Sequence, residues 1–522
     1  MHYKFFSERG PIRIGSFLHG HAIVEAKLSD EALALADDPE LVESYADDPN
    51  RLLELLLEWT SLHHERVHYL DSYGSLAGAT FFAAHTDAME RFIEVGGELT
   101  HRKSTWTLPL SKWVLEPDCP DNVRALYRHG RAYQFGIDRF LTPFKPFGSW
   151  GTVESPWINI GFRFAPDQEV VPALAYPLSF GLRTASDGDP PKLATSFQPL
   201  GFCAVAEGRA HSIARSMIEA QFPTIPPHFM VQYGVHAITA ESVPNAQDVD
   251  AMAAKMSPYN TTDLLVTRFL REKGIHQFPR SLILKLSDVA LSKSYLKVWS
   301  VDHEQTAVKA VNPGNELVDI LTSTSEADLL AVAFDHPASV DAVYRAQAEM
   351  LSRGGDWDTV EPLDSPYVAH KIWVSFVAQH IVLPLLERRL DTRHECFCNI
   401  EQLLELAKLD GLPRIEVVNG RARFHGIPAP VQTAWARQMF MVEIAHQILS
   451  DATVILCPRA HALLPGMESL DFAEGRCRSF MEQGCGSSSN GQCLVKPSCM
   501  FTEALQLYGL LPMPTVSADS EP

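Results

Sequence analysis

Apolar side chains recur at three- and four-residue steps in the stretch from Asp38 to Tyr73: Leu52, Leu53, Leu55, Leu56, Trp59, Leu62 and Val67. That spacing gathers them on one stripe of a helix, with Gly74 as its stop. A second helix is expected over Ser75–Val95, rich in small and apolar residues. Between Thr100 and Pro199 the texture changes. Ser104–Leu110, Trp157–Phe164 and Val170–Leu178, bounded by Pro and Gly, read as strands or extended segments. Asn122–Phe140 reads as a helix among them and Asp187–Lys192 as a turn.

Helical patterning returns at Leu200–Phe222 and continues through Val368–Arg389, Ile400–Leu409 and Val431–Leu449. A hairpin is expected over Ile415–Phe424, turning at Asn419-Gly420. After Cys457 the chain is loop-rich, passing through Gly486–Gly491 to an acidic, proline-containing tail at Leu511–Pro522. The implied fold class is α+β, predominantly α-helical, with unit boundaries near residues 245 and 455.

At 522 residues, 46% hydrophobic and 21% charged, the composition is globular and excludes a mostly disordered chain. Forty-four basic residues against sixty-four acidic ones give a net charge of −20. Such a surface repels phosphate backbones, so nucleic acid is not an expected partner. Met1–Gly20 lacks the unbroken apolar run of an export signal. The most apolar helix, around Lys371–Leu386, is interrupted by Gln379 and His380 and is expected to be too short to cross a bilayer. Nine cysteines, an odd number, then suggest free thiols in a reducing compartment. The expectation is a cytoplasmic protein with no membrane partner.

One stretch carries chemistry: Leu62-His63-His64-Glu65-Arg66-Val67-His68-Tyr69-Leu70-Asp71. His64 and His68, four apart on a helix, project from one face a single turn apart, close enough to share one Zn²⁺. Glu65, beside the first ligand, is placed to take a proton from water. This is the H-E-x-x-H arrangement, whose chemistry is metal-assisted hydrolysis. Arg66 occupies an inner position of the motif and is expected to point outward beside Asp71 or Glu58. Tyr69 and Tyr73 are assigned to the packing face.

A catalytic zinc site needs a third protein ligand and an open fourth position. Asp71 and Gly74 stand where a longer Gly/His version of the motif would need its residues, which excludes that version. The best third ligand is Glu207, in Ala206-Glu207-Gly208-Arg209-Ala210-His211, where small Gly208 and Ala210 permit close helix approach. His211, one turn further on, is placed to orient a ligand. Glu90, Glu94 and Glu98 are nearer in sequence and stand as fallback ligands.

HExxH followed by a helix reading E-G-x-A resembles the gluzincin-type zinc metallopeptidases. The resemblance covers two short helices and is at superfamily level. It implies His64, His68 and Glu207 as zinc ligands, Glu65 as general base and a peptide or small amide as substrate. With the boundaries read from the patterning, the chain is expected to divide into a metal-binding catalytic unit over 1–245, a mainly helical unit over 246–455 and a Cys-containing loop-rich segment over 456–522. The HExxH helix would pack against the Glu207 helix, with the strand-containing region between them as an insertion.

The same residues admit a second parse. Glu25, Glu65-x-x-His68, Glu207 and Glu443-x-x-His446 follow the ligand order of ferritin-like di-iron carboxylate proteins, oxygenases or oxidases holding two Fe ions. A third possibility is a non-catalytic helical interaction protein. Cys477, Cys485, Cys493 and Cys499 lack the CxxC pairs of a zinc site and read as ordinary thiols.

Overall fold

The computed structural model describes residues 15–18, 22–26, 28–45, 47–102, 106–128, 158–162, 171–182, 192–222, 249–292, 313–332, 338–353, 366–418 and 421–449, with a strand pair at 486–487 and 493–494. These are mostly helical and carry small sheets, a predominantly helical α+β arrangement.

Helix α1 spans Asp30–Asp37, and the Ser29 hydroxyl caps it by accepting from the Ala32 amide at 3.1 Å. The stretch from Asp38 is not one helix. A 3-10 turn over Pro39–Tyr45 precedes α2, Pro49–Gly74. Pro49 has no N–H to donate and so suits only a helix's first turn. Asp48 caps that turn, accepting from the Arg51 amide at 3.1 Å. Ser75 then caps α3, Leu76–His101, by accepting from the Gly78 amide at 3.0 Å. The corner is tight, since a Cβ on Gly78 would meet the carbonyl oxygens of Asp71 and Ser72 at 2.4 Å.

The strands are β1 (Gly15–Leu18), β2 (Ile23–Ala26), β3 (Ile158–Phe162), β4 (Val171–Leu182), β5 (Lys192–Pro199), β6 (Arg414–Val418) and β7 (Arg421–His425). β3, β4 and β5 form an antiparallel sheet, of which β3 and β4 fall where strands were expected and β5 does not. The other sheet has the order β1-β2-β6-β7, with β2 parallel to β6 in the register Ile23↔Ile415. Val418 pairs with Arg421, so the expected hairpin forms, its turn at 419–420 lying outside the described residues. The extended segment expected up to Leu110 is not a strand: Leu110–Trp113 is a short helix. Of Asn122–Phe140, residues 122–128 are helical and the rest lie outside the described residues, as do 187–191 and the tail at 511–522.

Further helices include α4 (Phe202–Gln221), α5 (Val249–Glu272), α6 (Arg280–Leu291), α7 (Pro313–Ser323), α8 (Ala338–Ser352), α9 (Pro366–Val377), α10 (Leu383–Asp391), α11 (Ile400–Ala407) and α12 (Ala429–Leu449). A π-turn over Ala378–Val382 joins α9 to α10. The wider turn absorbs the donor that Pro384 lacks, so the helix continues instead of breaking. This corrects the expectation of a short apolar segment. The helix Tyr367–Asp391 is 25 residues and, by length and composition alone, could cross a membrane. Here Trp373, Phe376, Val377, Ile381, Leu385 and Leu386 are core residues.

α2 lies at the centre of the main core. Leu52, Leu56, Val67, Tyr69 and Tyr73 are buried with Ala22, Ile213, Trp373, Phe397, Ile415 and Met439. Each such side chain contributes roughly 1.5–3 kcal/mol relative to exposure. This core draws residues from both sides of position 245. Tyr69 and Tyr73 are packing residues, as their spacing suggests. The Tyr69 hydroxyl donates to the Pro413 carbonyl at 2.6 Å, and that of Tyr73 accepts from the Ala22 amide at 3.1 Å.

Candidate metal centre

His64, Glu65 and His68 stand midway along α2, and Glu207 in the second turn of α4. The two helices meet through the core that holds Val67, Ala210 and Ile213. This brings two imidazoles and a carboxylate together from positions 139 or more residues apart. His64 Nε2 and His68 Nε2 are 3.0 Å apart, and each is 3.1 Å from Glu207 Oε2. Among the described residues, this is the one His/Cys/Asp/Glu group whose ligand atoms converge for a metal ion.

With Glu207 ionised, as its surroundings hold it, protons alone cannot satisfy that triangle. If both Nε2 atoms carry hydrogen, two donors face each other across 3.0 Å. If only one does, its single proton can point to one partner, and a second edge sets lone pair against lone pair. A cation bound to all three atoms removes the conflict. Tetrahedral zinc, with bonds of about 2.0–2.1 Å, spaces its ligand atoms roughly 3.3 Å apart, a few tenths more than the triangle's edges. The donor set therefore fits the ion.

The His68 side chain is 2% exposed, that of Glu207 10% and that of His64 14%, so solvent reaches the group on the His64 side. Burial alone would raise the Glu207 carboxyl. The adjacent His68 imidazole instead holds it well below the usual carboxylate range. Glu65 is buried at 8% exposure and, by helix geometry, sits about 60° round the axis from His68.

Gly208 serves a different contact from the one its size suggested. A Cβ there would lie 2.8 Å from Thr262 Cβ, so the missing side chain admits α5 rather than α2. The Thr262 hydroxyl then donates to the Ala204 carbonyl at 2.9 Å. On α5, one turn earlier, the Tyr259 ring lies 6.0 Å from that of His64 and 5.7 Å from that of His211. His211 is buried and joins the site through this ring contact. Tyr259 carried no sequence signal. Its selection depends on how α4 and α5 pack.

Arg66 points to neither acid expected for it. Its Nε and Nη2 donate to Glu416 Oε1 at 3.1 and 2.7 Å. Glu58 instead accepts from the Ser29 amide at 2.7 Å, and Asp71 faces Arg209, with Arg209 Nε 3.1 Å from Asp71 Oδ1. Behind the triad lies a wholly buried set of charges. Arg209 Nη1 is 3.3 Å from Asp288 Oδ1, and Asp288 accepts from Arg389 at 2.6 and 3.0 Å.

The fallback acids are engaged elsewhere: Glu90 pairs with Lys371, and Glu98 accepts from Asn122 Nδ2 at 2.7 Å. Glu94 is exposed on α3. Glu25 lies on strand β2, not on a helix as a four-helix di-iron site would have it. Glu443 and His446 belong to α12, but their side chains lie outside the described residues, as do those of Cys477, Cys485, Cys493 and Cys499. No family model matches the chain, and no curated protein and no solved structure does either.

Proposed function

We propose that this chain is a zinc-dependent hydrolase acting on a peptide or other amide bond. The observation that carries the reading is the 3.0–3.1 Å triangle of His64, His68 and Glu207, which protons cannot satisfy while Glu207 is ionised. Bound there, zinc would supply Lewis acidity, polarising a carbonyl and bringing the pKa of water toward neutrality. His64, His68 and Glu207 would hold it through three protein ligands, leaving one position for water or substrate.

The protein's own residues divide the remaining work. Glu65, adjacent to the first ligand and on the flank of the same face, takes the proton of the attacking water and passes it to the departing amine. Tyr259, against the His64 ring, is the phenol best placed to hydrogen-bond the substrate carbonyl as it gains negative charge. The hydrophobic packing of α2 and α4 holds ligands and base in register, so little reorganisation is needed during reaction.

Glu65→Gln tests this directly. The amide cannot accept the proton, so turnover on a peptide library should fall by at least about 100-fold. Zinc content should stay unchanged, because Glu65 is not a ligand. Loss of zinc together with activity would make Glu65 a ligand and favour the two-metal parse.

A further inference from the structure

A histidine that gives Nε2 to a metal keeps its proton on Nδ1, and that proton needs an acceptor to fix the tautomer and ring orientation. His68 Nδ1 is buried and has no hydrogen-bond partner. Three residues on, on the next turn of α2, Asp71 is fully buried, and neither of its oxygens has a hydrogen bond. Arg209 Nε stands 3.1 Å from Oδ1 but is misaligned for one. The other donors nearby are committed: Arg209 Nη2 to the Phe397 carbonyl, and Arg389 to Asp288 and the Gly74 carbonyl. His68 acts electrostatically on Asp71, as do Arg209, Asp288 and Arg389. Two complementary groups without hydrogen bonds thus sit one turn apart in a dry interior, where each costs about 1–3 kcal/mol if left unpaired.

We infer that Asp71 is a positioning residue for His68: its carboxylate accepts the His68 Nδ1 proton when a metal ion occupies the triad, and the chain Asp71–Arg209–Asp288–Arg389 anchors that imidazole to α2, α4, α6 and α10. This rests on the reading of the triad as a metal site. Burial raises the Asp71 carboxyl above its ordinary value and Arg209 opposes that; two aspartates and two arginines leave the chain electrically balanced. Arg389 is held further by the rings of Phe397 and Tyr344, 3.6 and 4.8 Å from its guanidinium carbon. The anchor is therefore rigid at its far end.

Zinc affinity of the full-length protein, measured by competition with a chelator, separates positioning from mere stability. Asp71→Asn should bind zinc about 10- to 100-fold more weakly than wild type. Asp288→Asn loosens the same chain two links from His68 but leaves the Asp71 acceptor in place, so it should lower the unfolding temperature while weakening zinc binding less than Asp71→Asn does, by at most about threefold. Equal weakening in both variants, or none in Asp71→Asn, overturns the inference. Nitrogen-15 imidazole spectra of zinc-loaded wild type need no variant. They should show His68 bound through Nε2 with a slowly exchanging Nδ1 proton, and metal on Nδ1 or a freely exchanging proton there overturns it equally. Wild type that binds no zinc overturns the site reading itself, a result distinct from either failure above.

Discussion

Arg66 donates to Glu416 Oε1 at 2.7 Å across 350 residues of sequence, tying the back of the helix that carries His64 and His68 to strand β6. By helix geometry Arg66 lies about 200° round the axis from His64. An arginine inside the motif is thus compatible with a metal on the opposite face. It secures the helix to the sheet. Arg414 donates to the same oxygen at 2.8 Å, so one carboxylate holds two guanidinium groups.

Replacing Glu416 by Gln should therefore destabilise the fold strongly. Both arginines would be left partly buried without their counter-charge, at a cost of about 3 kcal/mol or more, readable in urea unfolding. Zinc affinity of the folded protein should change little. Burial opposes ionisation of Glu416, but Arg66 and Arg414 hold its carboxyl below the ordinary value. An acid with a lowered pKa adds stability above its unfolded value of 4.5, lost as pH falls toward the folded one. Wild type should show that acid loss, and Glu416→Gln should lack its share.

Much of the centre was legible because HExxH is local: the helix alone sets the relation of His64, Glu65 and His68. Glu207 was legible for a weaker reason, an acid beside small Gly208 and Ala210 on a helix. The sheet that braces α2 was not. Ile23–Ala26 is four residues long and pairs with a strand some 390 positions later, and no local period reports that. The Asp71–Arg209–Asp288–Arg389 chain was equally hidden, since each member is a single charge on a separate helix. Arg209, two residues after Glu207 and wholly buried, was the one clue, as a buried charge demands a partner.

Gly208→Ala should couple stability to the metal site. Its methyl would sit 2.8 Å from Thr262 Cβ, forcing α4 and α5 apart at a cost of about 1–3 kcal/mol. Because Glu207 is the preceding residue, zinc affinity should fall as well. Gly208→Ala with Thr262→Gly removes the two crowding atoms, Cβ and Oγ1, and should restore part of the zinc affinity.

Zinc itself should raise the unfolding temperature of the wild-type chain. At free zinc about 1,000 times the dissociation constant, the gain is about 4 kcal/mol. Glu207→Gln should lose most of this shift, and Glu65→Gln should keep it. Calorimetry with and without a chelator reads both.

His370 gives a second pH signature, remote from the metal. Burial holds its imidazole below the ordinary value of 6.5, against the opposing hydrogen bond to Gln438 Oε1 at 2.9 Å. It is neutral in the fold and takes up a proton more readily when unfolded. Its contribution is thus present above pH 6.5 and lost as pH falls below it, by at most about 1.4 kcal/mol per unit. His370→Gln should flatten stability against pH between 6.5 and 5, measured by urea unfolding.

X-ray absorption on the purified protein, paired with elemental analysis, tests the central claim most directly. The account predicts about one zinc per chain, with nitrogen and oxygen neighbours at about 2.0–2.1 Å and no sulfur. Combined replacement of His64, His68 and Glu207 should abolish the signal. Zinc retained in that triple variant, a sulfur shell, or two irons with a metal–metal distance would contradict it.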